Sequence, residues 1–239
     1  MAYEMNFGPV LARTPLLVQG TIDTIVLSAQ SITLGLTIGL AAALLRTNGP
    51  KWSGTLVAGY VEAFRNTPLL VQLFLIFFGL PYMGLRLTAE QAALFAVSIN
   101  LGAYSAEIFR AGLLAIPKTQ IEAGLALGMS RLQVLRHVVI VPSLRIIYPA
   151  LTGQLTLTLL GTSIVSAVSA SELTLAGARI ESQTFRSLET FLVVAVIYIT
   201  ITFTFRLAYW LIGLWLFRRK KAPSVAAAAT LQPLEGAKS

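Results

Sequence analysis

Long apolar runs separated by short polar segments dominate the hydrophobic pattern of this chain. About 20 consecutive apolar residues cross the hydrocarbon core of a bilayer as an α-helix, and runs of that order recur along the sequence. The pattern therefore predicts an all-α, polytopic membrane protein with about five transmembrane helices. The predicted spans cover residues 21–45, 54–80, 91–109, 138–168 and 191–217.

The composition supports a membrane protein and argues against an ordinary soluble enzyme. Hydrophobic residues make up 56% of the chain, charged residues make up 12%, and the mean hydropathy is +0.76. A soluble domain would carry about 25% charged residues. The sequence has no cysteine and a single histidine, so no thiolate chemistry is possible and we expect no metal site.

The charges of the chain indicate its topology. The net charge is +8, but the cations cluster at the ends of apolar runs rather than along one polar face, so we expect no nucleic-acid partner. Loops rich in Lys and Arg stay in the cytoplasm, which predicts an external N-terminus and a cytoplasmic C-terminus. The cytoplasmic set is Arg46, Lys51, Arg110, Lys118, Arg131, Arg136 and the RRKK run at 218–221; the external set is Arg13, Arg86, Arg179 and Arg186.

Two terminal segments lie outside the predicted spans. Residues 1–20 contain Gly8, Pro9 and Pro15 and are predicted to form a short external segment. The first apolar run follows an acidic rather than a basic start, and it is too long for a signal peptide, so we expect it to be retained. Residues 221–239 are rich in alanine and low in complexity, which predicts a disordered cytoplasmic tail.

The first two predicted spans contain features that bear on helix packing. Gly35 and Gly39 form a small-xxx-small pair in the first span, which would let another helix approach closely. In the second span, Glu62 and Arg65 are spaced i, i+3 and could pair on one helical face. Pro68 should kink or restart that helix because proline has no backbone donor. Alternatively, Glu62 and Arg65 both lie at the membrane interface, where a charged side chain costs little free energy.

Polar residues in the third and fourth spans are candidates for lining a solute pathway. Gln154, Thr158 and Thr162 share one helical face at i, i+4 and i+8, and Gly161 leaves room for a ligand or for unwinding of the backbone. Asn100 on the third span joins this set. The alternative is that Thr hydroxyls bond to their own helix. Glu107 lies near the predicted cytoplasmic end of the third span, where an ion pair with Arg110 would be enough to account for its charge.

Motifs for catalysis are absent from the sequence. It contains no GxxxxGK[ST] for nucleotide binding and no GxSxG for nucleophilic attack. His137 is the one side chain that could act as a near-neutral base, and it lies among arginines at a membrane entry. The chain is therefore predicted to be a pathway and not an enzyme. Two alternatives stay open: an ion-coupled solute carrier, and a membrane scaffold that transports nothing.

The segment 122–145 is the one long charged stretch between apolar runs, and it is patterned as a helix, a glycine turn and a second helix. Its start at Glu122, with Gly128 following, resembles the EAA loop of bacterial ABC importer permeases. The run RNTPLLVQLF from Arg65 and the run AYSAEIFR from Ala103 are similar to motifs of the polar amino-acid permeases. Together these motifs identify the chain as a member of that permease family, with matching segments in order across residues 17–220.

The resemblance implies a permease domain at residues 21–220 in the bacterial inner membrane, for uptake of polar amino acids or derivatives such as opines. Its loop at 119–137 would form a cytoplasmic coupling helix that docks on an ATPase subunit. The partners implied are two ATPase subunits that carry ATP and Mg²⁺, a second permease subunit, an external solute-binding protein and membrane lipid; no cofactor is expected on this chain. The coupling residues implied are Glu122, Ala123, Gly124, Gly128, Met129 and Ser130.

The chain departs from the family pattern at several positions. Gly124 replaces the second alanine of EAA, and Pro142 falls one residue later than usual, which predicts a shifted bend at the entry to the fourth span. Leu160 and Gly161 replace the usual Lys-Asp pair. Gln154 is neutral where permeases for cationic amino acids can carry an acid, which disfavours arginine, lysine or histidine as the substrate.

Overall fold

The computed structural model describes residues 4–217, and this part of the chain consists of helices joined by short connections. The tail at 221–239 and the RRKK run, for which predictions were made, lie outside the described residues. The α-helices are α1 (Gly8–Leu11), α2 (Thr14–Asn48), α3 (Lys51–Arg65), α4 (Leu69–Phe74), α5 (Ala89–Leu114), α6 (Lys118–Ala126), α7 (Arg131–Gln133), α8 (Val141–Gly161), α9 (Leu173–Thr184) and α10 (Ser187–Leu216). Four helical stretches are long and apolar enough to cross a membrane, and a bent pair makes a fifth.

The first membrane helix, α2, begins at Thr14, before the expected start at Thr21. Pro15 occupies its first turn, where a missing N–H costs nothing because that donor has no intrahelical partner. The residues that precede it are tied to the far end of the chain. The backbone N–H of Asn6 donates to Glu189 at 3.0 Å, and Arg186 donates to the carbonyl of Glu4 at 2.9 Å.

Helix α2 packs lengthwise against α5 through the small residues that the sequence singled out. A Cβ atom on Gly35 would lie 2.8 Å from the side chain of Leu101, and one on Gly39 would lie 2.0 Å from Oγ of Ser105. Atoms at these separations would overlap, so the two helices come closer than any larger side chain allows. The predicted close approach at Gly35 and Gly39 is confirmed.

The second membrane segment is broken, as Pro68 predicts. Helix α3 and the helical stretch Leu69–Met83, which begins with α4, meet at an angle of 108° across a connection of three residues that ends in Pro68. After α4 the backbone continues as a π-helix (Leu75–Gly79) and a 3₁₀ turn (Leu80–Met83), which ends at Gly84 with φ +85°. The N-terminus of α5 then begins with a capping box between Thr88 and Gln91.

The fourth membrane segment runs without a sharp bend from Arg131 to Val168. A π-helix at Val134–Ile140 links α7 to α8, and Pro142 lies directly after it in the first turn of α8. The wider π turn absorbs the proline, whose ring and missing N–H do not fit a regular α-helical ladder. The change of winding at Val134–Ile140 comes directly before Pro142, within one continuous helical stretch.

A short helix that the sequence did not predict connects the last two membrane segments. After α8 a 3₁₀ helix (Thr162–Val168) leads to α9, whose N-cap residue is Glu172. The side chain of Glu172 accepts hydrogen bonds from the N–H groups of Thr174 and Leu175 at 2.7 and 2.5 Å. Burial raises the pKa of this carboxyl group. A core cluster of α1, α2, α8, α9 and α10 residues packs nearby: Val10, Leu17, Leu159, Leu173, Ile180, Val194 and Ile201.

Candidate translocation pathway and coupling loop

Gln72 supports the break in the second membrane segment. Its side chain is 4% exposed, and its Nε2 donates to the carbonyls of Phe64 at 2.7 Å and Thr67 at 2.9 Å. Carbonyls at a helix break have lost their intrahelical donors, and leaving them unpaired away from water is costly. One amide of α4 therefore satisfies a carbonyl in the last turn of α3 and a second carbonyl within the connection before Pro68.

Asn100 holds Gln72 in place. The Nδ2 group of Asn100 donates to Oε1 of Gln72 at 3.0 Å. The sequence predicted Asn100 as a pathway residue, and the structure places it beside the break, where its amide hydrogen bond goes to another side chain. Gln72 itself was not singled out from the sequence, although a glutamine four residues after a proline in an apolar helix was a usable signal.

Arg65 stacks on an aromatic ring instead of pairing with Glu62. Its guanidinium carbon lies 5.4 Å from the ring centre of Tyr104, which is within cation–π range. The expected i, i+3 ion pair with Glu62 is absent from the salt bridges of the described chain. A cleft of about 370 Å³ opens beside this pair and is lined by Arg46, Val61, Glu62, Arg65, Asn66, Tyr104 and Glu107.

Glu107 ties α5 to the end of α2. Its Oε2 accepts from Nε and Nη2 of Arg110 at 3.0 and 2.6 Å, as the sequence suggested. Its Oε1 also pairs with Arg46, a residue read from the sequence only as a cation that ends the first span. The sequence could not reveal this second pair, because residues 46 and 107 are distant in the chain and meet only through helix packing.

The threonines of the fourth span bond to their own helix. Thr158 is 7% exposed and donates to the carbonyl of Gln154 at 3.0 Å. Thr162 is fully buried and donates to the carbonyl of Leu159 at 2.7 Å. These bonds match the alternative interpretation of the polar stripe, in which the hydroxyls satisfy local carbonyls. Gln154 is half-buried, and its amide is the strongest candidate of the stripe for contact with a solute.

Gly161 lies where the fourth span meets the broken second span. The α-helix ends at Gly161, and the backbone winds more tightly into the 3₁₀ helix that starts at Thr162. A Cβ atom on Gly161 would lie 3.6 Å from Leu69, the first residue after the break. The structure thus brings Gly161 close to the first residue of α4, the helix that also carries Gln72, whereas Gln154 lies about 10 Å along the helix from Gly161.

The coupling loop is a helix, a glycine turn and a second helix, as its pattern predicts. Helix α6 ends in a Schellman motif, in which Met129 N–H donates to Gly124 at 3.2 Å and Gly128 N–H donates to Leu125 at 3.0 Å. Gly128 adopts φ +79°, a conformation that glycine reaches without strain. Ser130 then starts the next helix with a capping box to Gln133. Every turn of this loop is fixed by its own hydrogen bonds.

Gly124 explains the departure from the EAA pattern. It is buried, and a Cβ atom on it would lie 3.2 Å from Cγ2 of Val134 on the following helix. The absence of a side chain lets α6 rest closely on that helix. Glu122 and Ala123 are exposed on the outer side of α6, and Leu127 is 83% exposed at its end. The loop is therefore closely packed on its inner side and exposes the apolar residues Leu125 and Leu127 beside Glu122, which suits a docking surface.

Comparisons with known proteins agree with this architecture. Residues 35–216 match the family model described as binding-protein-dependent transport system inner membrane component. The chain is 37% identical over 201 residues to the glutamine transport system permease of Escherichia coli strain K12, covering 83% of this chain and 92% of that protein. It is 37% identical over 207 residues to the octopine transport system permease of Rhizobium meliloti, covering 81% and 84% of the two chains.

Solved structures give the same picture. A chain from the crystal structure of an amino acid ABC transporter with histidines superposes with a TM-score of 0.81 at 36% identity, covering 88% of this chain and 99% of that one. An inward-facing methionine ABC transporter shares the fold with a TM-score of 0.70 at 23% identity.

Proposed function

This chain belongs to the family of binding-protein-dependent transport system inner membrane components, and from that premise we propose that it imports polar amino acids or their opine-type derivatives. As a member, it is a multi-pass permease subunit of the inner membrane and not the ATPase. The observation that carries the proposal is the preformed loop at 118–133, whose outer side is exposed.

The loop would receive motion generated by another subunit. Its backbone is fixed by the Schellman turn at Gly128 and by the capping box at Ser130. A displacement of α6 would therefore move the following helix as well, because the turn between them does not deform. The π-helix at Val134–Ile140 continues the loop directly into the fourth membrane segment. The sequence has no nucleotide-binding loop, so ATP and Mg²⁺ would be bound by the partner subunit that moves this loop.

The break at Pro68 is the point at which the membrane segments could change their relative position. It gathers α4, the 3₁₀ helix after Gly161 and the Asn100–Gln72 pair. Broken helices at membrane depth are typical of transport pathways, since irregular backbone is tolerated only where protein or water satisfies it. In this proposal two permease halves rock about such breaks when the ATPase closes.

The relatives favour a substrate with an amino-acid backbone. Two of them are named for the transport of glutamine and of octopine. The neutral Gln154 is consistent with a substrate that carries no net positive charge. The complete importer would contain two ATPase subunits, a second permease chain that is identical or homologous, and an external solute-binding protein. The loops rich in Lys and Arg, including the coupling loop, would face the cytoplasm.

Purification followed by reconstitution tests this function. The chain is tagged, extracted from its native membranes, and the co-purifying ATPase is identified. The complex is then placed in proteoliposomes with ATP inside and with labelled glutamine, octopine or arginine, each presented outside on the co-expressed solute-binding protein. We expect uptake that requires ATP and favours the first two substrates.

The alternatives give different results in the same experiment. Uptake driven by an ion gradient without ATP would identify an ion-coupled carrier. A preparation that retains no ATPase and moves none of the solutes would identify a scaffold.

A further inference from the structure

A second groove lies between α8 and α10. The polar stripe of the fourth membrane segment separates this groove from the break at Pro68. It has a volume of about 600 Å³ and is open on one side. The residues of its wall that bear on its chemistry are Tyr148, Thr152, Thr156, Arg206, Tyr209 and Trp210. None of the functions proposed above uses these side chains.

Arg206 puts an exposed charge inside a membrane helix. Arg206 belongs to α10, and only 11% of the apolar membrane-spanning stretch of that helix is buried. The side chain of Arg206 is exposed. Within residues 4–217, none of the salt bridges involves Arg206. A charged side chain in a membrane segment is costly unless it finds a polar partner or reaches the interface. An anion outside the described chain would remove this cost.

Aromatic residues show at what depth the arginine lies. Tyr209, Trp210 and Trp215 follow Arg206 along the helix, and Tyr and Trp concentrate at the level of the lipid headgroups. Tyr148 on α8 donates to the carbonyl of Tyr209 at 2.5 Å and so brings the wall of α8 to the same level. Arg206 therefore lies within reach of the headgroup region, where a long side chain can extend to the interface.

The groove offers donors to an incoming group. The hydroxyl of Thr152 already donates to the carbonyl of Tyr148 at 3.0 Å, and the hydroxyl of Thr156 donates to the carbonyl of Thr152 at 2.9 Å. Among the described residues, the lining donors without a hydrogen bond are the guanidinium of Arg206, the indole N–H of Trp210 and the hydroxyl of Tyr209. A guanidinium binds phosphate oxygens through paired N–H groups.

From these observations we propose that the groove binds the phosphodiester headgroup of an anionic phospholipid. Arg206 and Trp210 hold the phosphate, and the acyl chains lie along the apolar surface of α10 below it. The positive charge, the headgroup depth and the exposure of α10 to the bilayer all favour a lipid over a protein segment. The rival occupant is a second copy of this permease, which would need a carboxylate at this position.

The test measures lipid retention by the intact transporter. The complex with its ATPase is stripped of native lipid in detergent and titrated separately with phosphatidylglycerol and with phosphatidylcholine, and bound lipid is counted by native mass spectrometry. We expect R206Q to lower the affinity for phosphatidylglycerol by about fivefold, the effect of one cation near an anionic surface. R206K should retain most of the affinity. The matched control R86Q removes an exposed arginine elsewhere and should change nothing.

Three outcomes would overturn the proposal. One is an R206Q complex that retains as much phosphatidylglycerol as the parent. Another is equal retention of the two lipids by the parent. The last is an R206Q complex that keeps its lipid but separates into single permease subunits, which would assign the groove to a second copy.

Discussion

The side-chain amide of Asn100 donates to Gln72 at 3.0 Å, and Gln72 in turn donates to the carbonyls of Phe64 and Thr67 at a helix break. This relay links α5 to the bend between α3 and α4. It means that Asn100, which the sequence predicts to line a solute pathway, also supports the backbone at this break.

Replacing Gln72 with leucine should destabilise the protein. The carbonyls of Phe64 and Thr67 would lose their donor, at a cost of about 1–3 kcal/mol for each buried group. We expect a lower thermal unfolding temperature for the purified complex and reduced uptake. Gln30→Leu, at an exposed position of α2, is the control and should leave the unfolding temperature unchanged. N100A should lower the unfolding temperature by a smaller amount and leave the substrate preference unchanged. An altered preference at full stability would instead support Asn100 as a residue that lines the pathway.

The close contact between α2 and α5 should not tolerate a methyl group at residue 39. A Cβ atom there would lie 2.0 Å from Oγ of Ser105 and 3.0 Å from the backbone nitrogen of Ala106, so the helices would have to separate. Overpacking of this kind costs about 1–3 kcal/mol. We expect G39A to lower the unfolding temperature. Gly59 faces open space, and G59A should be neutral or stabilising because alanine favours helix. Equal effects of the two substitutions would contradict the packing argument.

Gly128 should be required for coupling to the ATPase and not for membrane insertion. Its φ of +79° penalises any side chain by about 1–2 kcal/mol, and aspartate there would also place a charge on the docking surface. We expect G128D and E122R to abolish uptake and substrate-stimulated ATP hydrolysis while leaving the amount of protein in the membrane unchanged.

Gly84 provides the matched control for this substitution. It has φ +85° with open space around it, in the connection before α5. The backbone penalty of G84D is therefore similar, but the residue lies outside the coupling loop. If G84D and G128D impair ATP hydrolysis equally, the loop has no special role in coupling.

Gln154 should influence which amino acid is carried. Replacing it with glutamate introduces a negative charge that attracts a cationic substrate side chain. We expect Q154E to move the competition profile of uptake towards arginine and lysine, with assembly intact. The control is Thr158→Val, which removes a hydroxyl that serves its own helix and should leave the profile unchanged. A profile for Q154E that matches the parent would remove Gln154 from the pathway.

Glu172 should make stability depend on pH. Burial raises the pKa of this carboxyl above its unfolded value of about 4.3. The folded protein then binds the proton more tightly than the unfolded chain, so this group's contribution to stability is complete below about pH 4 and declines as the pH rises through the folded-state pKa.

The measurement is the unfolding temperature of the complex from about pH 4 to pH 7. E172Q should reduce the decline in unfolding temperature that the parent shows over this pH range. E90Q, at an exposed position, should show the same decline as the parent. A parallel decline in E172Q and the parent would assign the pH dependence to other groups.

The sequence by itself determined the features that depend on composition and on local backbone chemistry. Apolar runs of membrane length can bury themselves only in lipid, Pro68 cannot continue an α-helix, and a glycine between two amphipathic segments predicts a turn. The spacing of Gly35 and Gly39 also foretold a close helix contact, because small residues on one face leave room for little else.

The tertiary structure decided how distant polar groups are satisfied. The pair of Arg46 with Glu107, the hydrogen bond of Asn100 to Gln72 and the stacking of Arg65 on Tyr104 each join residues from different helices. Local spacing could not distinguish these partners from Glu62 or from a solute. In an apolar environment each polar group takes the nearest available partner, and only the packing of the helices determines which partner is near.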